Sequence, residues 1–62
     1  MKLNDLQIQI IKLVNQGKSN PEIANQLGYS VENIKKNLRV CFKYFKVRNR
    51  VELVREINLL EH

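Results

Sequence analysis

Apolar residues recur every three or four positions along most of the chain, and Gly, Ser, Asn or Pro separate the apolar segments. This spacing is typical of helices that bury one side, and no segment alternates apolar and polar residues as a strand does. Ser or Asn precedes each segment, in three cases with Gln or Glu three residues later, as in a capping box. The pattern predicts an all-α four-helix bundle. The predicted helix starts are Asn4, Ser19, Ser30 and Asn49.

The third predicted helix, from Ser30 to about Phe45, is apolar on one side and basic on another. At about 100° per residue, each set of side chains spans an arc of about 100°. We therefore expect one side to pack on the first two helices and the other to present cations outward. The apolar set is Val31, Ile34, Leu38, Cys41, Phe42 and Phe45. The basic set is Lys35, Lys36, Arg39, Lys43 and Lys46.

The positive charge of the chain is concentrated in and just after this helix. The 62 residues suit one small domain, and the net charge is +5. Residues 31–50 hold seven of the eleven cations and one acid, Glu32. A basic block between nearly neutral flanks is typical of a surface that binds a polyanion. No apolar run reaches the length of a membrane span, and no signal peptide follows Met1, so we expect a cytoplasmic protein without membrane insertion.

The sequence contains no set of residues typical of an enzyme or a metalloprotein. One cysteine and one histidine cannot build a metal site, and we find no catalytic triad, paired carboxylates or Gly-rich phosphate loop. We expect no catalytic activity and no cofactor. Cys41 lies on the apolar arc, which favours a small buried side chain over a redox sensor. Glu22 is better explained as a helix cap than as a catalytic acid.

The connection between the second and third predicted helices is short, Gly28-Tyr29-Ser30. Two helices joined by a tight turn that contains Gly, with the second helix basic, form the helix-turn-helix pattern. Long cationic side chains on such a helix can reach guanine edges or phosphates in the major groove. We therefore expect double-stranded DNA as the partner.

The order of residues along nearly the whole chain supports this reading. The informative segments are Leu3-Asn4, Gly17, Ser19-Asn20-Pro21-Glu22-Ile23-Ala24, Leu27-Gly28-Tyr29-Ser30, Ile34-Lys35, Lys43-Tyr44 and Val47-Arg48-Asn49-Arg50. Together they resemble the DNA-binding domain of the LuxR/GerE family, over residues 3 to about 58. The resemblance implies a four-helix bundle with the third helix as recognition helix. It also implies a sequence-specific transcriptional regulator that binds DNA as a homodimer through the fourth helix.

The resemblance assigns roles residue by residue. Base-reading positions fall on Lys35, Lys36 and Arg39. Phosphate contacts are implied for Ser19, Asn20, Asn33, Asn37, Lys43, Lys46, Arg48 and Arg50. The dimer interface maps to Val51, Val54, Arg55 and Ile57.

Some positions depart from the family pattern. Asn33 and Asn37 replace the usual Thr and His, and both can still donate hydrogen bonds to phosphate. Phe45 replaces a Gly that usually ends the third helix, which leaves open a longer helix. Leu6 and Ile8 are additional apolar residues in the first helix, either core residues or a partner surface.

Two other functions remain open from the residues alone. The helix-turn-helix could serve as a protein-interaction module that binds another regulator through Leu6, Ile8 and the fourth helix. A basic helix lying on an anionic membrane is disfavoured, because the bundle core needs the apolar side of the third helix.

We predict a single helix-turn-helix domain over residues 1–59 and interpret 60–62, Leu60-Glu61-His62, as the remnant of a polyhistidine tag. The start at Met1 favours a stand-alone regulator over an excised domain.

Overall fold

The computed structural model describes residues 2–60, which form four helices and no strand. Helix α1 spans Asp5–Asn15, α2 spans Asn20–Leu27, α3 spans Val31–Phe45 and α4 spans Arg50–Leu60. The predicted all-α fold is confirmed. No helix in this part of the chain combines the length and apolar character needed to cross a bilayer. Of the residues interpreted as a tag, Leu60 is the last residue of α4, whereas Glu61 and His62 lie outside the described residues.

One apolar core joins the four helices. Helices α1 and α3 each pack against the other three, whereas α2 and α4 pack against α1 and α3. Half-buried Val31, Phe42 and Phe45 surround this core, so the apolar arc predicted for α3 faces inward. The buried apolar residues are Ile10, Ile11, Leu13, Val14, Ile23, Ala24, Ile34, Leu38, Cys41, Leu53 and Ile57.

The starts of α1 and α2 are capping boxes, as the sequence predicts. The backbone N–H of Gln7 donates to Asn4 Oδ1 at 2.8 Å, and the N–H of Asn4 donates to Gln7 Oε1 at 3.0 Å. In α2 the backbone N–H of Glu22 donates to Ser19 Oγ at 3.3 Å, and the N–H of Ser19 donates to Glu22 Oε1 at 2.9 Å. These bonds satisfy backbone donors that have no partner inside the helix.

The start of α4 differs from the predicted capping box. Asn49 Oδ1 accepts the N–H of Glu52 at 2.9 Å, which is the expected half. The carboxylate of Glu52, however, accepts the N–H of Arg48 at 2.8 Å, one residue before the cap. Glu52 therefore orders the connection between α3 and α4 as well as the first turn of α4.

The end of α3 resolves the question of its length: the helix stops at Phe45 although the family's Gly is absent. Lys46 takes the left-handed conformation, with φ +57°, and no other non-glycine among residues 2–60 has a positive φ. The N–H of Val47 donates to Phe42 O at 3.0 Å, and that of Lys46 donates to Lys43 O at 3.2 Å. This is the Schellman arrangement that Gly17 also forms at the end of α1.

We predict that Lys46→Gly stabilises the protein. A side chain in the left-handed region costs about 1–2 kcal/mol, which Gly avoids. Gly also makes the unfolded chain more flexible, and this lowers the stability of the fold by about 0.5–1 kcal/mol. The free energy of unfolding, measured by urea titration with helical circular dichroism, should rise by about 0.5–1 kcal/mol.

The matched control is Lys43→Gly, which removes the same charge inside α3. It should lower the free energy of unfolding by about 1 kcal/mol, because Gly is unfavourable within a helix. Destabilisation by Lys46→Gly would mean that the Lys46 side chain packs favourably enough to outweigh its backbone strain.

Candidate nucleic-acid interface

The turn between α2 and α3 determines how the basic helix is presented. Gly28 adopts φ +77°, and the N–H of Tyr29 returns to Ala24 O at 2.9 Å. Ser30 then starts α3, because its Oγ accepts the N–H of Asn33 at 3.1 Å. Three residues, Gly28 among them, separate the two helices, which is the connection length of a helix-turn-helix.

Helix α3 separates its apolar and basic side chains onto different sides. Ile34, Leu38 and Cys41 are buried, whereas all five cations of the basic set defined above are exposed. Among residues 2–60, the one ion pair joins Arg48 and Glu52, so the α3 cations carry no carboxylate partner there. Uncompensated positive charge along one side of a helix produces a local positive potential that attracts polyanions.

The two asparagines of α3 bind each other and α1. Asn37 Nδ2 donates to the carbonyl oxygen of Asn33 at 2.9 Å and to Asn33 Oδ1 at 2.8 Å. Asn37 Oδ1 accepts Gln7 Nε2 at 3.2 Å. Both amide hydrogens of Asn37 are therefore used inside the protein. Its implied phosphate contact would require these bonds to break, so we remove Asn37 from the candidate DNA contacts and keep Asn33.

Gln7 was missed as a site residue. It is the one buried polar residue in the described part of the chain, and it caps α1 while it holds Asn37. A signal did exist, because position 7 falls on the helical repeat of Ile10, Ile11 and Val14, which are all buried.

Arg50 connects α4 to the start of α2. Its Nη1 donates to Asn20 Oδ1 at 2.7 Å, and its Nη2 donates to the carbonyl oxygen of Lys18. The resemblance implies phosphate contacts for Arg50 and Asn20, and the structure brings the two together across 30 residues of sequence. Arg50 thus holds the first turn of α2, including Ser19, at a defined place beside the end of α3.

The other candidate phosphate contacts are solvent-accessible. Ser19, Lys43 and Lys46 are exposed, and the Arg48 side chain is 90% exposed. Arg48 lies 3.7 Å from Glu52, and an exposed pair at this distance contributes little to stability. Its guanidinium can therefore turn toward a phosphate at small cost.

The structure changes the candidate dimer surface on α4. Val51 is 81% exposed, Arg55 is exposed and Val54 is half-buried, and these three share one side of the helix. Ile57 is only 7% exposed because it packs into the core with Leu53. Ile57 is therefore not available at the surface of α4, and we keep Val51, Val54 and Arg55 as the candidate dimer residues.

Leu6 and Ile8 do not form a contiguous apolar pair. Leu6 packs against the core, whereas Ile8 is 40% exposed on another side of α1. Residues two positions apart on a helix, such as Leu6 and Ile8, point in nearly opposite directions. The buried side chain of Gln7 lies between them. Leu6 and Ile8 therefore do not offer one shared surface to a partner, and only Ile8 is exposed.

Among residues 2–60, Glu22 and Cys41 have shifted pKa values. The backbone N–H and the hydroxyl of Ser19 bind the Glu22 carboxylate and hold its pKa below the ordinary value of 4.5. Burial raises the pKa of the Cys41 thiol to about 11. Cys41 thus stays a neutral thiol at physiological pH and acts as a core residue, as the sequence predicts.

A basic helix presented by a tight turn on a small helical bundle defines a helix-turn-helix domain. The GerE family, described as bacterial regulatory proteins of the luxR family, matches residues 1–57. The chain belongs to this family, so it is a DNA-binding transcription regulator by class. No curated protein and no solved structure matches it significantly.

We predict that Arg50→Ala destabilises the fold in the absence of DNA. The change removes two hydrogen bonds from a charged donor and leaves Asn20 and the carbonyl of Lys18 without that partner. Because the site is half-exposed, the free energy of unfolding should fall by about 1–2 kcal/mol in a urea titration.

Arg48→Ala is the matched control, since it removes the same side chain two residues earlier. It should change the free energy of unfolding by less than about 0.5 kcal/mol, as expected for a single exposed ion pair. Equal effects of the two changes would contradict the structural role of Arg50.

We also predict that Glu22 contributes to the acid sensitivity of the fold. Its pKa is lowered in the folded protein, so its contribution is present above pH 4.5 and is lost as the pH falls through the folded value. Glu22→Gln keeps an oxygen acceptor without this titration. Urea titrations between pH 6 and the acid transition should show a shallower fall in stability for the variant, and identical slopes would contradict the prediction.

Proposed function

We propose that the protein is a cytoplasmic, sequence-specific transcriptional regulator that inserts α3 into the major groove of double-stranded DNA. The observation that carries this proposal is the row of exposed, unpaired cations on the side of α3 that the core does not use. A helix with its side chains fills the major groove, which is about 12 Å wide. Lys35, Lys36 and Arg39 lie in the second and third turns of α3 and would contact base edges.

Phosphates on either side of the groove would bind the remaining exposed donors. Ser19 lies at the positive end of α2, and its hydroxyl would have to leave the Glu22 carboxylate to contact a phosphate. Lys43 and Lys46 lie at the far end of α3. Arg48 follows in the next connection. Contacts from the start of α2 and from the end of α3 would determine the orientation of α3 along the duplex, which is the usual role of phosphate contacts.

The proposed DNA-bound state is a homodimer through Val51, Val54 and Arg55 of α4. Two recognition helices would then read two half-sites in successive major grooves. A single 62-residue domain would make few base contacts of its own. Dimerisation would therefore increase the affinity and fix the distance between the two half-sites.

We predict that Lys35→Ala/Arg39→Ala weakens binding to a selected duplex more than to a shuffled duplex. Each base contact should contribute about 1–3 kcal/mol on the selected sequence. The measurement is fluorescence anisotropy of labelled duplexes at several salt concentrations, with the selected sequence enriched from a random library by this protein.

Lys2→Ala/Lys12→Ala is the control, because it removes two exposed positive charges that do not belong to the basic set of α3. It should leave the preference for the selected duplex unchanged and change the log–log salt slope by much less than two phosphate contacts would, at about 0.9 each. Equal losses on both duplexes for Lys35→Ala/Arg39→Ala would reassign these residues to phosphate. Absence of any binding at low salt would refute the proposed function.

A further inference from the structure

A second surface lies on the side of the bundle formed by α1, the end of α3 and α4. It is an apolar groove with a volume of about 640 Å³. Leu3 and Phe45 are half-buried and Ile57 is buried, whereas Ile8, Tyr44 and Leu60 are exposed, the last by 70%. Most of the surface that lines the groove is apolar.

The shape of the groove fits a helix better than a small molecule. Ile8, Ile11, Lys12 and Asn15 follow one another along α1 at helical spacing, so the groove runs for about 10 Å or more along that helix. Small-molecule sites enclose most of their ligand, but the large exposed fractions of Ile8 and Leu60 show that this groove is open along its side. An open, elongated apolar groove between helices accepts the apolar side of an amphipathic helix.

The positive charge beside the groove favours an acidic partner. Lys2 and Lys12 are exposed residues that line the groove, and among its described lining residues there is no acid. Neither Asp5 of α1 nor Glu56 of α4 lines it. A second copy of the chain, paired about a two-fold axis here, would bring these lysines together in a protein of net charge +5. Like charges disfavour that pairing, whereas carboxylates beside the apolar residues of a partner would be attracted.

We propose that this groove binds an amphipathic helix of a partner protein whose apolar side is flanked by acidic residues. The apolar residues would cover Leu3, Ile8 and Tyr44, and the carboxylates would pair with Lys2 and Lys12. The partner would dock beside the DNA-binding side of α3, because Tyr44 lies about 180° around the helix from Lys35, about 140° from Arg39 and about 80° from Lys36. The candidate dimer residues Val51 and Val54 likewise lie on the other side of α4 from Leu60.

The test uses a defined probe, a helical peptide of about 14 residues with Leu on one side and Glu on both flanks. Its control is the same peptide with each Glu replaced by Lys. Both are titrated into the ¹⁵N-labelled full chain, and amide shifts are followed by NMR. We expect saturable shifts centred on Ile8, Lys12 and Tyr44, with the Glu peptide binding roughly tenfold more tightly than the Lys peptide.

Two variants test the location of the site. Ile8→Glu should abolish peptide binding, whereas Val51→Glu, an exposed apolar residue on the other side of α4, should leave it unchanged. Lys12→Glu should reduce or reverse the preference for the Glu peptide. Anisotropy on duplex DNA should be unaffected by Ile8→Glu, so failure of this proposal and failure of the proposed DNA binding are distinguishable.

Three outcomes would overturn the proposal. The first is equal affinity for the Glu and Lys peptides. The second is a set of shifts centred on Lys35, Lys36 and Arg39, which would indicate general attraction to the basic helix. The third is a dimer in sedimentation that Ile8→Glu dissociates, which would show that the groove binds a second copy.

Discussion

The packing of α3 onto the other helices is the constraint on which the rest of the structure depends. Ile34, Leu38 and Cys41 are buried among side chains of the surrounding helices, and this side of α3 cannot turn outward without exposing them. A helix has only one orientation that buries such a stripe, so the cations between these residues must face solvent. The burial of apolar side chains that stabilises the core therefore also fixes the basic side of α3 toward solvent. Stability and the candidate DNA surface are coupled through a single helix.

Polar contacts between distant segments then orient the elements around α3. Gln7 connects the cap of α1 to Asn37, and Arg50 connects the start of α4 to Asn20 and Lys18. Several residues that the family resemblance assigns to phosphate thus have a partner within the protein. The candidate DNA surface is therefore held in place by contacts within the protein, which would reduce the conformational entropy lost on binding DNA.

The end of α3 shows tertiary packing overriding a local preference. Gly usually occupies the left-handed position after a helix, but Lys46 does so here at a cost of about 1–2 kcal/mol. Phe42 and Val47, whose backbones close the turn, both pack against the core and make the termination favourable despite that cost. The absent Gly alone suggested a longer helix, which the structure does not have.

Helix spacing, caps and charge are local features, and they determined most of this protein's architecture. The repeat of apolar residues, the caps at Asn4 and Ser19 and the short Gly28 turn were enough to predict four helices and a helix-turn-helix with a basic third helix. The tertiary structure decided the burial of Gln7 and Ile57, the separation of Leu6 from Ile8 and the apolar groove between α1 and α4. These features depend on how far each helix is rotated against its neighbours. A repeat along the chain shows which side of a helix is apolar, but not how much of that side its neighbours cover.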